Sequence, residues 1–261
     1  MNNILILGSG RSGTSMLTGM LARSSFHFGD NFEYLSKNKA NPKGYFEDYE
    51  VNTVNEDILK ENLIHIPETI RKLLFPSATF YRARWLARLP VNKKIVSIPS
   101  INKRIEMLIK KPTFCYKDPR LSYTLPVWKS IIEENTINVK YLVVFREPEK
   151  TANSIVRECK ESKALHPLKM NMNTALKVWE LMYSHIIKNY KADSKKEDWM
   201  FVHYNQLFSN VIYEKIEDFI GSPIDKEFPE IHLSRAKAEE TKMNKNLLAI
   251  YNQLNELTLN K

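Results

Sequence analysis

Four consecutive apolar residues, Ile4, Leu5, Ile6 and Leu7, run directly into the turn Gly8-Ser9-Gly10-Arg11-Ser12-Gly13. An unbroken apolar run of this length is the pattern of a strand covered on both faces. After the turn, residues 14–23 carry Met16, Leu17, Met20 and Leu21 as one apolar stripe at helical spacing. A buried strand, a glycine-rich turn and a helix, in that order, commit the N-terminus to an α/β sheet. They also bring backbone N–H groups to a helix start, where partial positive charge attracts anions.

The same alternation continues along the chain. Further strands are expected at 113–116, 141–145 and 199–203, with an ambiguous one at 95–98. Helical patterns occupy 50–62, 66–75, 78–88, 101–110, a stretch through Trp128 to Glu134, 148–161, 172–190, 211–220 and 244–257. Pro148 suits a first helical turn, where its missing N–H costs nothing. Residues 29–47 read as irregular, with Gly29, Asn41-Pro42 and Gly44 as breakers. Strands alternating with helices imply an α/β fold: a P-loop-like, doubly wound parallel sheet of about four to five strands flanked by helices. With 261 residues and no linker or repeat, the chain reads as one domain spanning 1–261.

Such sheets bind ligands at the carboxyl ends of their strands. Here those ends carry Arg11, Lys117 and Arg146, three cations at one edge. The formal net charge of +9 points the same way, towards an anionic partner. The hydrophobic fraction of 43% supports a sizeable core and excludes a disordered chain. Cys115 and Cys159 fall in different elements, so no disulfide framework is indicated, and a reducing, cytoplasmic setting is expected. No signal peptide or transmembrane segment is expected, because no apolar stretch reaches roughly 18 residues.

The first loop has the glycine spacing of a nucleotide-hydrolase phosphate loop, but Thr14 stands where such a loop carries lysine. The cation lies three residues earlier, at Arg11. That arrangement suits an anion held by Arg11, by the hydroxyls of Ser12, Thr14 and Ser15, and by backbone amides around Gly10 and Gly13. Downstream, Arg146 ends a central strand, and Ser154 lies eight residues further on, in the second turn of the helix that follows. A guanidinium fork grips two phosphate oxygens at once, so Arg146 and Ser154 form a second phosphate site.

Together, G-S-G-R-S-G-T-S at 8–15 and V-F-R-E-P with its later serine resemble the sulfotransferase superfamily. N-P-K-G-Y-F-E-D at 41–48 and K-D-P-R-L at 117–121 resemble a bacterial group within it. The resemblance covers anchor strings through residue 160 and the strand leading to Tyr204, and fades beyond about residue 210. It implies a 3′-phosphoadenylyl sulfate (PAPS) donor, with its 5′-phosphosulfate at Arg11 through Ser15 and its 3′-phosphate at Arg146 and Ser154. The partners implied are that donor and an acceptor hydroxyl of a carbohydrate, lipid or small molecule, with no nucleic acid. Lys117 matches a lysine of tyrosylprotein sulfotransferases that stabilises the transition state.

Sulfuryl transfer needs an acceptor base and cations for the leaving phosphate. Glu47, between Tyr45-Phe46 and Asp48, leads as the base, and Asp30 is its rival. Glu33 and Asp48 are weaker candidates. The catalytic set is therefore Glu47, Lys117, Arg11 and Asp30. No metal is expected, since the six histidines lack ligand spacing. Tyr204 is expected to touch the nucleotide, and Ser234-Arg235-Ala236-Lys237 offers a basic lid or a solvated helix. The competing readings are a phosphate-loop nucleotide kinase, suggested by the loop and by Asp118, and a non-catalytic binder of acidic glycan or nucleic acid, suggested by charge alone.

Overall fold

The structure, a computed structural model, describes residues 1–33, 35, 37, 41–63, 83–230 and 243–259. Four parallel strands form one sheet: β1 (Asn3–Leu7), β2 (Cys115–Lys117), β3 (Val139–Phe145) and β4 (Trp199–His203). Their order is β2-β1-β3-β4. Connections leave β1 and β3 towards opposite sides, so the switch point lies between these two neighbours. A crevice opens there beyond their carboxyl ends.

Strand parity sorts the side chains into two cores. Ile4, Ile6, Leu142, Val144, Met200 and Val202 face α1 (Thr14–Leu21) and, later in the chain, α7 (Asn210–Ile220). Leu5, Leu7, Tyr141, Val143, Phe145 and Phe201 face the other layer. That layer holds α2 (Tyr49–Asn62), α3 (Pro99–Ile109), α4 (Leu121–Glu134), α5 (Pro148–Glu161), α6 (Met172–Ala192) and α8 (Lys245–Leu259). With both faces covered, the strands show as continuous apolar runs.

Five expectations need correction or limits. Residues 95–98 join no strand. Ile95 is buried, but the segment runs on into α3, whose N-cap is Ile98. The strand expected at 113–116 is shifted to Cys115–Lys117, because Thr113 has a left-handed backbone (φ 49) that no ladder accepts. That shift makes Lys117 the last strand residue. The helix expected at 66–75 and most of that at 78–88 lie outside the described residues, as does the Ser234–Lys237 segment. Residues 83–86 form a single 3₁₀ turn. No described helix is long and apolar enough to cross a membrane.

Candidate functional site

The loop after β1 is held by contacts from distant parts of the chain. The Tyr183 hydroxyl of α6 donates to the Val144 carbonyl (2.7 Å) and accepts from the Ser9 N–H (3.2 Å). Ser122 Oγ donates to the Gly8 carbonyl (3.1 Å). At Gly8 (φ 150) a Cβ would lie 2.4 Å from the Val144 carbonyl oxygen, so only glycine lets the loop run this close to β3. Gly13 (φ 102) is likewise constrained: a Cβ there would strike the Tyr204 ring at 2.4 Å. The N-terminus of α1 that follows has no side-chain cap. Its first N–H groups are the ones an anion would satisfy.

Ser12 departs from expectation. Its hydroxyl is fully buried and donates to the Ser9 carbonyl (2.6 Å), with Val144 O at 3.3 Å. It is a strut within the loop and does not point outward to an anion. Ser15 lies on the open side, where its Oγ accepts from Lys117 Nζ (3.2 Å).

Arg11, at positive φ (71°), reaches across to α5. Its Nε donates to Ser154 Oγ (3.1 Å) and lies 3.3 Å from Glu158 Oε2. The two motifs that the sequence separates by 143 positions therefore meet directly. Arg146 lies beside them. Its guanidinium carbon sits 4.1 Å from the Tyr204 ring centroid, and that ring is the one that presses on Gly13. Burial pushes the Arg146 guanidinium down from an ordinary value so high that it stays charged, and the nearby charges of Arg11 and Arg157 push the same way. A cluster of cations at a strand end, with an uncapped helix start next to it, favours a polyanion.

On the β2 side of the crevice, strand parity turns Lys117 to the face that carries α1. Its Nζ makes an ion pair with Glu47 Oε1 at 2.6 Å, with both side chains less than a tenth exposed. Glu47 arrives through Gly44 and Phe46, whose backbones are both left-handed (φ 111 and 52). Positive φ at Phe46, a bulky residue, is strain held by the surroundings, and its ring packs edge-on against Phe228. The second carboxylate oxygen, Glu47 Oε2, accepts from Asn52 Nδ2 at 2.7 Å. Burial pushes the Glu47 carboxyl above its ordinary value, opposed by the Lys117 charge. Burial pushes the Lys117 ammonium below its own, opposed by Glu47. Both shifts favour a neutral pair, the direction in which a proton must move if Glu47 is to take one.

Behind this pair lies a buried network that sequence reasoning missed. Arg120 Nη1 donates to Asn52 Oδ1 (3.2 Å) and Asp118 Oδ1 (2.8 Å), and its Nε donates to Glu56 Oε1. Asp118 Oδ2 accepts from Asn55 Nδ2 (2.9 Å), and Arg84 Nη1 pairs with Glu56 Oε2 (2.9 Å). The signal was present in α2: Asn52, Asn55, Glu56 and Asn62 are buried on the same helix as Val51, Val54, Ile58 and Leu59. Polar residues on a core-facing stripe need partners, and K-D-P-R held them.

The remaining candidates fall elsewhere. Asp30 is 70% exposed and pairs with Lys111 Nζ (3.3 Å), with His27 Nε2 at 3.8 Å. The structure does not bring it to Lys117. Asp48 caps α2, accepting from the Glu50 and Val51 N–H groups, and also holds the Asn31 N–H. Glu33 is exposed, with only its backbone bridged to Glu47. Among the described residues, no group of three or more His, Cys, Asp or Glu is placed to hold a metal ion.

A family model described as a sulfotransferase domain matches residues 1–256. A solved sulfotransferase domain from the curacin biosynthetic pathway superposes with a TM-score of 0.51 at 16% identity, covering 97% of each chain. The sulfotransferase domain of the Synechococcus PCC 7002 olefin synthase superposes with a TM-score of 0.54 at 15% identity, covering 98% of this chain and 94% of that one. At such identities the structural likeness concerns the fold. No curated protein matches the chain.

Proposed function

The chain belongs to the sulfotransferase family, and from that membership we propose that it moves a sulfuryl group from PAPS to an acceptor hydroxyl of a carbohydrate, lipid or small molecule. The observation that carries this reading is the chain of contacts Ser15–Lys117–Glu47, at 3.2 and 2.6 Å. It joins the phosphate loop, a cation and a carboxylate at one point of the switch crevice.

In this reading the 5′-phosphosulfate lies on Gly10, Arg11, Gly13, Thr14, Ser15 and the start of α1. The 3′-phosphate lies towards Arg146 and Ser154, with Tyr204 beneath the nucleotide. When the donor enters, its sulfuryl oxygens compete with Glu47 for the Lys117 ammonium. Lys117 swings the short way towards Ser15, and Glu47 Oε1 is released while Asn52 keeps Oε2 in place. The acceptor oxygen then attacks sulfur, and its proton passes to Glu47. The bond from sulfur to the 5′-phosphate oxygen breaks as the new S–O bond forms. The negative charge left on that phosphate falls to Lys117 and the helix start. Fixed cations do this work without a metal ion. The kinase reading of the loop gives way to the family match.

Cys115 and Cys159 are both free and buried, which supports a reducing compartment, the cytoplasm, as the working location. The decisive experiment is a mass-spectrometric screen of acceptors with isotopically labelled PAPS. Transfer of label to a hydroxyl compound is the expected result. A folded protein that binds neither PAPS nor adenosine 3′,5′-bisphosphate would end the proposal.

A further inference from the structure

Well away from the crevice, α4, α6 and the segment entering α3 enclose a groove of about 520 Å³. It is lined from residues 126–131 of α4 and 185–192 of α6. Both helices run antiparallel to the strands. Tyr183 of α6 touches Val144 near the end of β3, whereas Tyr190 packs on Trp199 at the start of β4. Lys129 of α4 lies over Tyr141, near the start of β3. The groove is therefore set towards the opposite end of the sheet from the phosphate loop.

Its chemistry is one-sided. Lys93, Lys94 and Lys188 line it, and among the described residues no aspartate or glutamate does. Lys188 Nζ donates to the Val91 carbonyl (2.9 Å). The Lys93 and Lys94 ammonium groups pair with no described residue, so three positive charges border the groove with no counter-ion among the described residues. Two buried oxygens at its wall, Ser97 Oγ and Asn102 Oδ1, have no hydrogen-bond partner. Buried polar atoms in folded proteins are almost always satisfied, by protein, by water or by a ligand. α3 starts at the same place with no side-chain cap, so its partial positive charge adds to that of the lysines. Asn92 and Asn189 supply further amides, while Ile95, Val127 and Ile131 give an apolar strip.

We propose that this groove binds an anionic sugar. Uncompensated ammonium groups select an anionic head, whether phosphate, sulfate or carboxylate. The side-chain amides of Asn92, Asn102 and Asn189 select hydroxyls around a ring. The apolar strip suits the C–H face of that ring. The volume lies within the range of small-molecule sites and accommodates a monosaccharide. The site stands independently of the transfer reaction.

Calorimetry on the whole chain tests it, with glucose 6-phosphate and glucuronate as probes and with glucose and inorganic phosphate as controls. At least one probe is expected to bind about ten-fold more tightly than either control. The Lys93→Ala/Lys94→Ala/Lys188→Ala variant, changed only at exposed side chains, should weaken that probe by about ten-fold or more. Asn102→Ala should weaken it several-fold, with its thermal midpoint read alongside to show that the protein is folded. Saturating adenosine 3′,5′-bisphosphate should leave binding unchanged. The proposal is overturned if neither probe binds up to about 10 mM, or if inorganic phosphate binds as well as the sugar. Binding that persists in the triple-lysine or Asn102→Ala variant, or that the bisphosphate displaces, overturns it equally.

Discussion

Arg11 Nε donates to Ser154 Oγ across 3.1 Å, so the glycine-rich loop after β1 is hydrogen-bonded directly to the helix after β3. The two halves of the proposed donor site are thus coupled through a direct hydrogen bond.

That coupling can be measured. Charge-assisted hydrogen bonds contribute about 1.5–3 kcal/mol each. Arg11→Ala and Arg146→Ala should each weaken adenosine 3′,5′-bisphosphate binding by about ten- to a hundred-fold by calorimetry. Because Arg11 and Ser154 are in contact, the Arg11→Ala/Ser154→Ala double variant should lose less than the sum of the two single changes. Normal binding by the Arg146→Ala protein would remove Arg146 from the site.

Glu47→Gln keeps the side-chain volume but removes the base. It should lower kcat by about 10²–10⁴-fold, the usual contribution of general base catalysis, and leave bisphosphate binding nearly intact. Asp30→Asn, at the surface, should matter little. A base works only when ionised, and burial raises the Glu47 carboxyl. The acidic limb of the kcat profile should therefore lie above the ordinary glutamate value of about 4.3, with rate falling as pH drops through it. Glu47→Gln should erase that limb. Full turnover by Glu47→Gln alongside a dead but folded Asp30→Asn protein would exchange the two roles.

Asn52 and Arg120 separate positioning from stability. Asn52→Leu removes the donor to Glu47 Oε2, a bond that favours the ionised form. The acidic limb should move to still higher pH with donor affinity unchanged. Arg120→Met leaves Asp118 without its buried counter-ion and Glu56 with Arg84 alone, and should cost about 3–5 kcal/mol of unfolding free energy in urea titrations. An unchanged denaturation midpoint would mean that the buried network relaxes freely.

Transfer should continue undiminished in EDTA, since Lys117, Arg11 and Arg146 supply the charge that a metal would otherwise provide. Activity that disappears with chelation and returns with Mg²⁺ would contradict this, read directly from the rate of sulfated product formation.

The strands and the glycine-rich loop after β1 were legible because burial on both faces writes itself as an apolar run, and because glycines mark the tight turn that follows such a run. Lys117, Arg146 and Glu47 were legible as residue types at informative strings. Their pairing was not: Glu47 and Lys117 lie 70 positions apart, and no local pattern encodes a contact across that distance. The inward turn of the Ser12 hydroxyl was not legible, because a hydroxyl in such a loop looks the same in sequence whether it faces outward or the loop's own backbone. Asn52, Glu56 and Arg120 were passed over because polar residues on the buried face of α2 signal a need for partners, but which partners they take emerges only when α2 packs beside the end of β2. The displaced start of β2 reflects one backbone angle, at Thr113, which its side chain does not announce.

The Tyr204 ring rests against Gly13, and the Tyr183 hydroxyl holds Ser9, 174 positions away. The phosphate loop thus takes its shape from residues made long after it. A nascent chain halted on the ribosome before residue 204 emerges would carry every residue of the loop and still lack the surface that orders it. Contacts of such sequence separation form late and slow folding. Nucleotide capture should accordingly appear abruptly with chain length, as the fourth strand docks, and not gradually from the N-terminus onward.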